Sequence, residues 1–231
     1  MKKTLELTLK QAQDIYKTAD VSVKELLEVN FSKRELIGRP IGVWCLTKDK
    51  KAVKAEDWKD GYEPIGVGVV TQDTAFIVHL EPQAALPFGS TDVNGYANVV
   101  YDTDTYDNLT ATASILLSHN GVKGKMWEDD KFPFVGSPAA EYCIMQNGYL
   151  PTLATAKVIA KNIKEINEAM IAVDGAVVCG WLWTSTVKKE SKCSFVVNTL
   201  NGGVGDGDRY NDGNARAVSA FHFEDFEFYF L

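Results

Sequence analysis

The chain has 231 residues, of which 45% are hydrophobic, so it can bury a core as one large domain or as one domain with a small appendage. Its formal net charge of −7 argues against the basic face that binding to nucleic acid or to an anionic membrane requires, and we expect neither partner. The N-terminus lacks the continuous apolar core of a signal peptide, and no apolar run approaches the roughly 18 residues of a membrane span. We therefore predict a protein that is made in the cytoplasm and does not insert into membranes.

The first forty residues are predicted to form short helices, because three capping boxes follow one another. Each box pairs a serine or threonine with a glutamine or glutamate three residues later: Thr8 with Gln11, Ser22 with Glu25, and Ser32 with Glu35. Gly38 and Pro40 then interrupt the helical pattern. We divide the chain into a helical N-terminal segment, residues 1–38, and one domain of residues 39–231.

Beyond residue 40 the sequence becomes typical of strands. Two hairpins are predicted, one with a polar turn at residues 48–51 and one with a turn around Gln72 and Asp73. Residues 89–110 are rich in Asp, Asn, Gly and Thr and are predicted to form a long loop. Long ordered loops are uncommon inside a domain, so this one is a clue to the fold.

Two helices are predicted in the middle of the chain and strands in its last third. A short helix begins at Pro138, and the most regular helix extends from Pro151 until Asp174 and Gly175 end it. The late strands are predicted over WLWTSTV, CSFVVNTL and ARAVSAFHF. The run of glycine, aspartate and asparagine at residues 203–214 is predicted to connect the last two strands.

The ordered set GYLPTLATAKVIAKNIKEINEAM, WLWTSTVKKESKCSFVVNTLNGG and ARAVSAF resembles a known pattern. It is similar to the W-x-L-P-T, Y-W-S-S-T-E and V-R-P-V-R-A-F motifs of C-type-lectin-like domains of the Legionella and Fibrobacter types. SPAAEYC and PIGVGVVTQDTAFIVHL resemble the first helix and a hairpin of that group. The resemblance implies an α+β fold with a twisted antiparallel sheet, two helices and long irregular loops.

The chain departs from the family pattern at three places. The acidic residue that usually follows the L-P-T motif is missing, since Ala154, Thr155 and Ala156 occupy that neighbourhood, and Thr184 replaces the first serine of W-S-S-T. Residues 125–134 look like an insertion. These departures weaken assignment to a subfamily more than they weaken the predicted fold.

Domains of this family occur in bacterial surface proteins, phage tail adhesins and variable proteins of diversity-generating retroelements. The N-terminal helical segment resembles one found ahead of such domains in proteins of gut Bacteroidales phages and prophages. The resemblance therefore implies a non-enzymatic binder of a cell-surface protein or glycan, and assembly into a virion. Whether this chain is diversified by a retroelement stays open.

In the retroelement group, the diversified residues lie between the W-S-S-T and V-R-A-F strands and line the binding face. Transferred to this chain, the resemblance implies that ligand contacts come from Thr186, Lys188, Lys189, Lys192, Asn198, Asp206, Asp208, Arg209, Tyr210, Asn211, Asp212 and Asn214. We expect the main contacts from Arg209, Tyr210 and Asn211, because arginine and tyrosine contribute most per contact and asparagine offers adaptable hydrogen bonds.

The same run offers oxygen atoms that calcium could bind. Asp206, Asp208, Asn211 and Asp212 carry suitable oxygens, but Tyr210 stands where an EF-hand has its third ligand. The glutamate that ends such a loop is also missing. No metal and no other cofactor is therefore predicted.

Two other functions remain as alternatives. Formylglycine-generating enzymes share the lectin-like fold and use a reactive cysteine pair, but the surroundings of Cys179 and Cys193 do not match that family. In a structural virion component, the aromatic segment 221–230 would form a subunit contact in a homo-oligomer. The same aromatic residues have a second possible role, which is to close the sheet.

Overall fold

The computed structural model of the chain describes residues 8–28, 38–90, 99–126, 132–189 and 191–229. These residues form a mixed α+β structure with two mixed sheets and six helices. The helices are α1 (Leu9–Thr18), α2 (Val21–Glu28), α3 (Asn108–His119), α4 (Pro138–Met145), α5 (Leu153–Lys161) and α6 (Ile163–Ala172). The strands are β1 (Gly42–Thr47), β2 (Lys51–Val53), β3 (Pro64–Val70), β4 (Ala75–Val78), β5 (Ala84–Pro87), β6 (Lys123–Met126), β7 (Phe132–Val135), β8 (Trp181–Val187), β9 (Cys193–Asn198), β10 (Val204–Asp208), β11 (Asp212–Ala215), β12 (Val218–Ala220) and β13 (Glu227–Phe228).

The first sheet has the strand order β12-β4-β3-β1-β2-β13. Its antiparallel pairs β1–β2 and β3–β4 confirm both predicted hairpins. Alternate residues of β1 point to opposite faces, as the pleat requires. Val43 and Cys45 pack in the cluster that contains Met170 of α6, whereas Trp44 and Leu46 pack on the other face. The sheet is therefore covered on both sides.

The C-terminal aromatic residues cover the second face of this sheet. Phe221, Phe223, Phe226 and Phe228 are buried in one cluster with Trp44 and with residues of α1 and α2. The rings of Trp44 and Phe228 meet edge to face, with their centroids 4.8 Å apart. Of the two predicted roles, closing the sheet is the one observed for these four residues. Because they are already covered, a homo-oligomer contact would have to use other residues.

The second sheet has the strand order β10-β9-β8-β11-β5. Strands β8 and β9 lie where the sequence predicts them. The prediction that residues 203–214 form only a connection is wrong, because this run contains β10 and β11. β10 pairs with β9, and β11 pairs with β5 and β8. The pairing satisfies backbone groups of a segment whose own composition favours turns.

The N-terminal helices begin at side-chain caps. The predicted capping box of α1 is confirmed, with Gln11 N–H donating to Thr8 Oγ1 at 3.3 Å and Thr8 N–H donating to Gln11 Oε1 at 3.0 Å. For α2 the cap is Asp20 and not the predicted Ser22, since Val23 N–H donates to Asp20 Oδ1 at 3.0 Å. The third predicted box, Ser32 with Glu35, lies outside the described residues.

The helices of the middle region differ from the prediction in one respect. α4 begins at Pro138 as predicted. The long helix predicted after Pro151 is divided at Asn162, whose Nδ2 donates to Val158 O at 2.8 Å. α5 ends there and α6 begins with a change of backbone angles, φ −108° and ψ 18°. The division lets α5 pack on the second sheet and α6 on the first.

Helix α3 corrects the predicted loop at residues 89–110. It begins at Asn108, and Asp107 caps it by accepting from Thr110 N–H at 2.9 Å. Serine and threonine are frequent in this helix, and its apolar residues do not follow one face, so its periodicity is weak. Residues 91–98 of the predicted loop lie outside the described residues.

Residues 123–126 and 132–135 form the antiparallel hairpin β6–β7. The segment that resembles an insertion, residues 125–134, thus begins and ends in strands. None of the helices in the described part of the chain combines the length and the apolar character that crossing a membrane requires.

Candidate functional site

Most predicted contact residues lie at one end of the second sheet. The β8–β9 turn and the β10–β11 turn meet there, because β10 pairs along β9 with Asp208 opposite Cys193. We define the turn surface as the exposed and half-buried members of the predicted set at this end: Lys188, Lys189, Lys192, Asp206, Asp208, Tyr210, Asn211 and Asp212. The structure therefore brings eight of the twelve predicted residues together.

Two predicted contact residues are fully buried. Thr186 lies inside the structure, and its Oγ1 accepts from Leu153 N–H at 3.0 Å. Arg209 is also inaccessible, although sequence analysis ranks it among the main contacts. A buried side chain cannot touch a ligand, so these two residues do not belong to the contact set. The local sequence does not indicate the burial of Arg209, because arginine is almost never fully buried.

Buried Arg209 connects the β10–β11 turn, to which it belongs, with the β8–β9 turn. Its Nη2 donates to Ser191 O at 3.3 Å and to Cys193 O at 3.2 Å, both at the β8–β9 turn. Its guanidinium carbon lies 5.8 Å from the centroid of the Phe88 ring, within the range of a cation–π contact. Its carbonyl accepts from Gly89 N–H at 3.1 Å. One buried side chain thus links three separate segments of the chain.

Asn198 and Asn214 lie away from the turn surface. Asn198 is opposite Trp181, near the other end of β8, and its Oδ1 accepts from Leu200 N–H at 2.9 Å. Asn214 is opposite Leu182, and its Nδ2 donates to Cys179 O at 3.2 Å. Both are half-buried. These two residues lie toward the Trp181 end of β8 and therefore outside the turn surface.

The turn surface carries charges of both signs. Lys188 forms an ion pair with Asp206, and this hydrogen bond raises the pKa of the Lys188 ammonium. Cys193 Sγ donates to Asp208 Oδ1 at 3.2 Å, and burial together with the neighbouring carboxylate raises the pKa of the thiol. The three lysines and three aspartates of this surface balance in formal charge, so the surface is suited to polar contacts rather than to attraction by net charge.

The cysteine pair of the enzyme alternative is not assembled. Cys193 begins β9 at the turn surface, whereas Cys179 precedes β8 near the far end of the same strand pair. The five residue-to-residue steps of β9 from Cys193 to Asn198 separate the two ends by about 17 Å, at about 3.3 Å per step. The α-carbons of a disulfide lie within about 7 Å of each other. Cys179 and Cys193 therefore do not form a pair in this structure.

The four cysteines are expected to differ strongly in reactivity. Burial raises the pKa of the Cys45 and Cys143 thiols to about 12, whereas Cys179 is exposed and Cys193 is half-buried. We expect a thiol reagent to modify Cys179 first, and Cys45 and Cys143 on the order of 100-fold more slowly, after unfolding. Timed labelling followed by peptide mass spectrometry measures this, and Cys179→Ser should remove the fast phase. Equal rates at all four thiols would contradict the observed burial.

His119 is buried and His79 is half-buried. Burial lowers the pKa of both imidazoles, and His79 also lies 3.9 Å from a Glu81 carboxylate oxygen. His119 Nδ1 lies 3.0 Å from Ile115 O, within its own helix. These surroundings are typical of histidines with a structural role. Among the described residues, no three His, Cys, Asp or Glu side chains come together in a group that could hold a metal ion.

Two surface features lie outside the predicted contact set. Trp181 keeps 45% of its surface exposed, while Trp183, two residues further along β8, is buried. A cavity of about 390 Å³ lies beside α5 and includes Lys157 and Lys161 in its wall. The sequence does indicate that these two lysines share one face of a predicted helix, because they are four residues apart.

Comparison of the chain with protein-family models, with curated proteins and with solved structures finds no match.

Proposed function

We propose that the protein is a non-enzymatic binder with a C-type-lectin-like domain, which recognises a protein or glycan on a cell surface through the turn surface. One observation carries the proposal: eight predicted contact residues from separate segments converge at one end of a sheet, and buried Arg209 connects the turns that carry them. A surface that is ordered before binding loses less conformational entropy when a ligand arrives.

The residue types of the turn surface support recognition. Tyr210 supplies a large amphipathic ring at low entropic cost, and Asn211 supplies an adaptable hydrogen-bonding amide. The lysines and aspartates around them form a polar rim. Such loops on a scaffold of paired strands are the usual place of binding residues.

The lectin-like part of the proposal is supported by strand order and by the sequence resemblance. The late strands β12 and β13 join the sheet of the two early hairpins, and β8 to β11 form a second sheet that carries the turns. A pairing of terminal strands with displayed loops is what the resemblance implies. We further propose, on the resemblance alone, a phage tail or prophage adhesin or a retroelement-diversified binder.

The turn surface can be tested with a double variant, Lys189→Glu with Tyr210→Ala. We expect binding of the labelled protein to intact gut Bacteroidales cells to fall by about tenfold or more, because hot-spot side chains each contribute at least about 1 kcal/mol. Flow cytometry over a panel of strains measures the change. Both side chains lie outside the core, so the melting temperature should stay close to that of the wild type.

The matched control is Lys59→Glu with Gln72→Ala, which changes the charge equally at exposed positions outside the turn surface. It should bind like the wild type. Binding that survives the turn-surface variant, or that the control loses equally, contradicts recognition by these turns. Cys179→Ser with Cys193→Ser should also leave binding intact, whereas an enzymatic activity that this variant abolishes would favour the enzyme alternative.

A further inference from the structure

A second candidate site lies beside helix α5, on residues that do not belong to the turn surface. It is a cavity of about 390 Å³ between α5 and the segment that precedes α3. The cavity is widely open to solvent, and Asp104, Lys157 and Lys161 in its walls are exposed. Its walls are formed by Thr103, Asp104, Tyr106, Ala154, Lys157, Val158 and Lys161.

The α5 wall of the cavity is cationic. Lys157 and Lys161 are four residues apart, which places their β-carbons about 5–6 Å from each other on one helix face. Lys164 of the next helix has an acidic neighbour, Glu168, at 3.8 Å. Within the described part of the chain, neither Lys157 nor Lys161 has a carboxylate at such a distance. Two like charges one turn apart destabilise a helix slightly, and an anion between them would relieve this repulsion.

The opposite wall offers a ring and polar groups. Tyr106 and Thr103 are half-buried, and Asp104 is exposed. The backbone is held at both ends of this segment: Asp104 N–H donates to Asp102 Oδ1 at 2.9 Å, and Asn108 N–H donates to Tyr106 O at 2.9 Å. An aromatic face and hydroxyl groups are what a sugar ring contacts, whereas a simple inorganic anion uses only the charges.

The two walls are connected to each other. Thr152, the cap of α5, donates its N–H to Asn108 Oδ1 at 2.7 Å, at the start of α3. Ala154 and Val158 add an apolar patch on α5 between the caps and the lysines. The cavity thus combines two cations, an aromatic ring, polar groups and an apolar patch at positions held by hydrogen bonds.

We propose that this cavity binds a sugar that carries a carboxylate. The carboxylate lies between the Lys157 and Lys161 ammonium groups, the sugar ring packs against Tyr106, and its hydroxyls meet Thr103 and Asp104. Asp104 accepts hydrogen bonds from hydroxyl groups and repels a second anionic group, which selects for ligands with one charge. This site uses no residue of the turn surface and does not depend on the function proposed for that surface.

The test is a titration of the full chain with galacturonate, galactose, the methyl ester of galacturonate and inorganic phosphate, followed by isothermal calorimetry or by NMR. We expect galacturonate to bind at least about tenfold more tightly than the two neutral sugars, since a tenfold change in Kd corresponds to about 1.4 kcal/mol and one charge-assisted contact supplies this. Phosphate should bind more weakly than galacturonate, because it cannot use the ring.

Lys157→Gln with Lys161→Gln should weaken galacturonate binding by about tenfold or more, because glutamine keeps the helix propensity of lysine and removes the charge. The matched control, Lys59→Gln with Lys164→Gln, has the same net charge and should bind like the wild type. Tyr106→Ala should also weaken binding, and Tyr106→Phe should retain most of it. Melting curves of all variants establish that they are folded.

Three results would overturn the proposal. They are the absence of galacturonate binding to the wild type, equal affinity for galacturonate and phosphate, and unchanged galacturonate binding by the folded Lys157→Gln and Lys161→Gln double variant. The turn-surface variant Lys189→Glu with Tyr210→Ala is expected to keep its affinity for galacturonate. A failure of this cavity is therefore distinguishable from a failure of the turn surface.

Discussion

Replacing Arg209 with methionine is expected to lower the free energy of unfolding by about 3 kcal/mol. Methionine keeps an apolar stem of similar length but has no donor, so the carbonyls of Ser191 and Cys193 lose the Nη2 contacts at 3.3 and 3.2 Å. These bonds are part-buried, and a carbonyl that is left without a partner away from water costs about 1–3 kcal/mol. Urea unfolding followed by circular dichroism measures the change in midpoint.

The effect should be local as well as global. The amide of Gly89, which donates to Arg209 O at 3.1 Å, is expected to exchange its hydrogen faster in the variant. Lys192→Met serves as the control, because Lys192 is exposed on the same turn and its replacement should change stability by less than about 0.5 kcal/mol. If Arg209→Met costs no more than this control, Arg209 does not hold the turns together.

The second large effect is expected at Gly207, where alanine should destabilise the fold by about 2 kcal/mol. A β-carbon at this position would lie 2.5 Å from Trp183 Cζ3 and 2.8 Å from Val196 Cγ1, which is closer than non-bonded carbons approach. Trp183 is buried and cannot move aside easily, because its Nε1 donates to Leu86 O at 2.8 Å. Thermal unfolding of Gly207→Ala tests this.

Gly205→Ala provides the comparison on the same strand and the same face. Its β-carbon would lie 3.0 Å from Trp181 Cζ3, but the Trp181 ring is 45% exposed and has room to move. We expect a loss of less than about 1 kcal/mol for this variant. Equal destabilisation by both substitutions would show that the burial of Trp183 does not decide the effect. Gly205, Gly207 and Gly213 thus make room for tryptophan rings within the strands.

Much of the secondary structure could be predicted where local chemistry is decisive. The two early hairpins, the strands β8 and β9, the start of α4 and the capping box of α1 all follow from periodicity, turn residues and caps. Helix α3 could not be predicted in this way, because its serines and threonines interrupt the periodic pattern of apolar residues that indicates a helix. The predicted lectin-like fold and the predicted function stay predictions, because the similarity on which they rest is a set of short motifs.

The candidate site, too, could be predicted only in part from the sequence. The sequence indicates which part of the chain carries polar residues suited to recognition, and eight of those residues share one surface. It cannot tell Arg209, which is buried, from its neighbour Tyr210, which is half-buried, because their burial depends on Phe88 and on the β8–β9 turn. The cavity beside α5 could not be predicted for the same reason, because Tyr106 and Lys157 are far apart in the sequence and come together only in the folded structure.

The sequence by itself determined the hairpins, the starts of α1 and α4 and the polar character of residues 203–214, since each depends on neighbours within a few residues. Only the tertiary structure decided that this run becomes two strands, that Arg209 connects two turns, and that Asn162 divides a long helix. The physical reason is that the partners of these backbone and side-chain groups come from distant parts of the chain. Local sequence specifies which groups need partners, and packing selects the partners that they find.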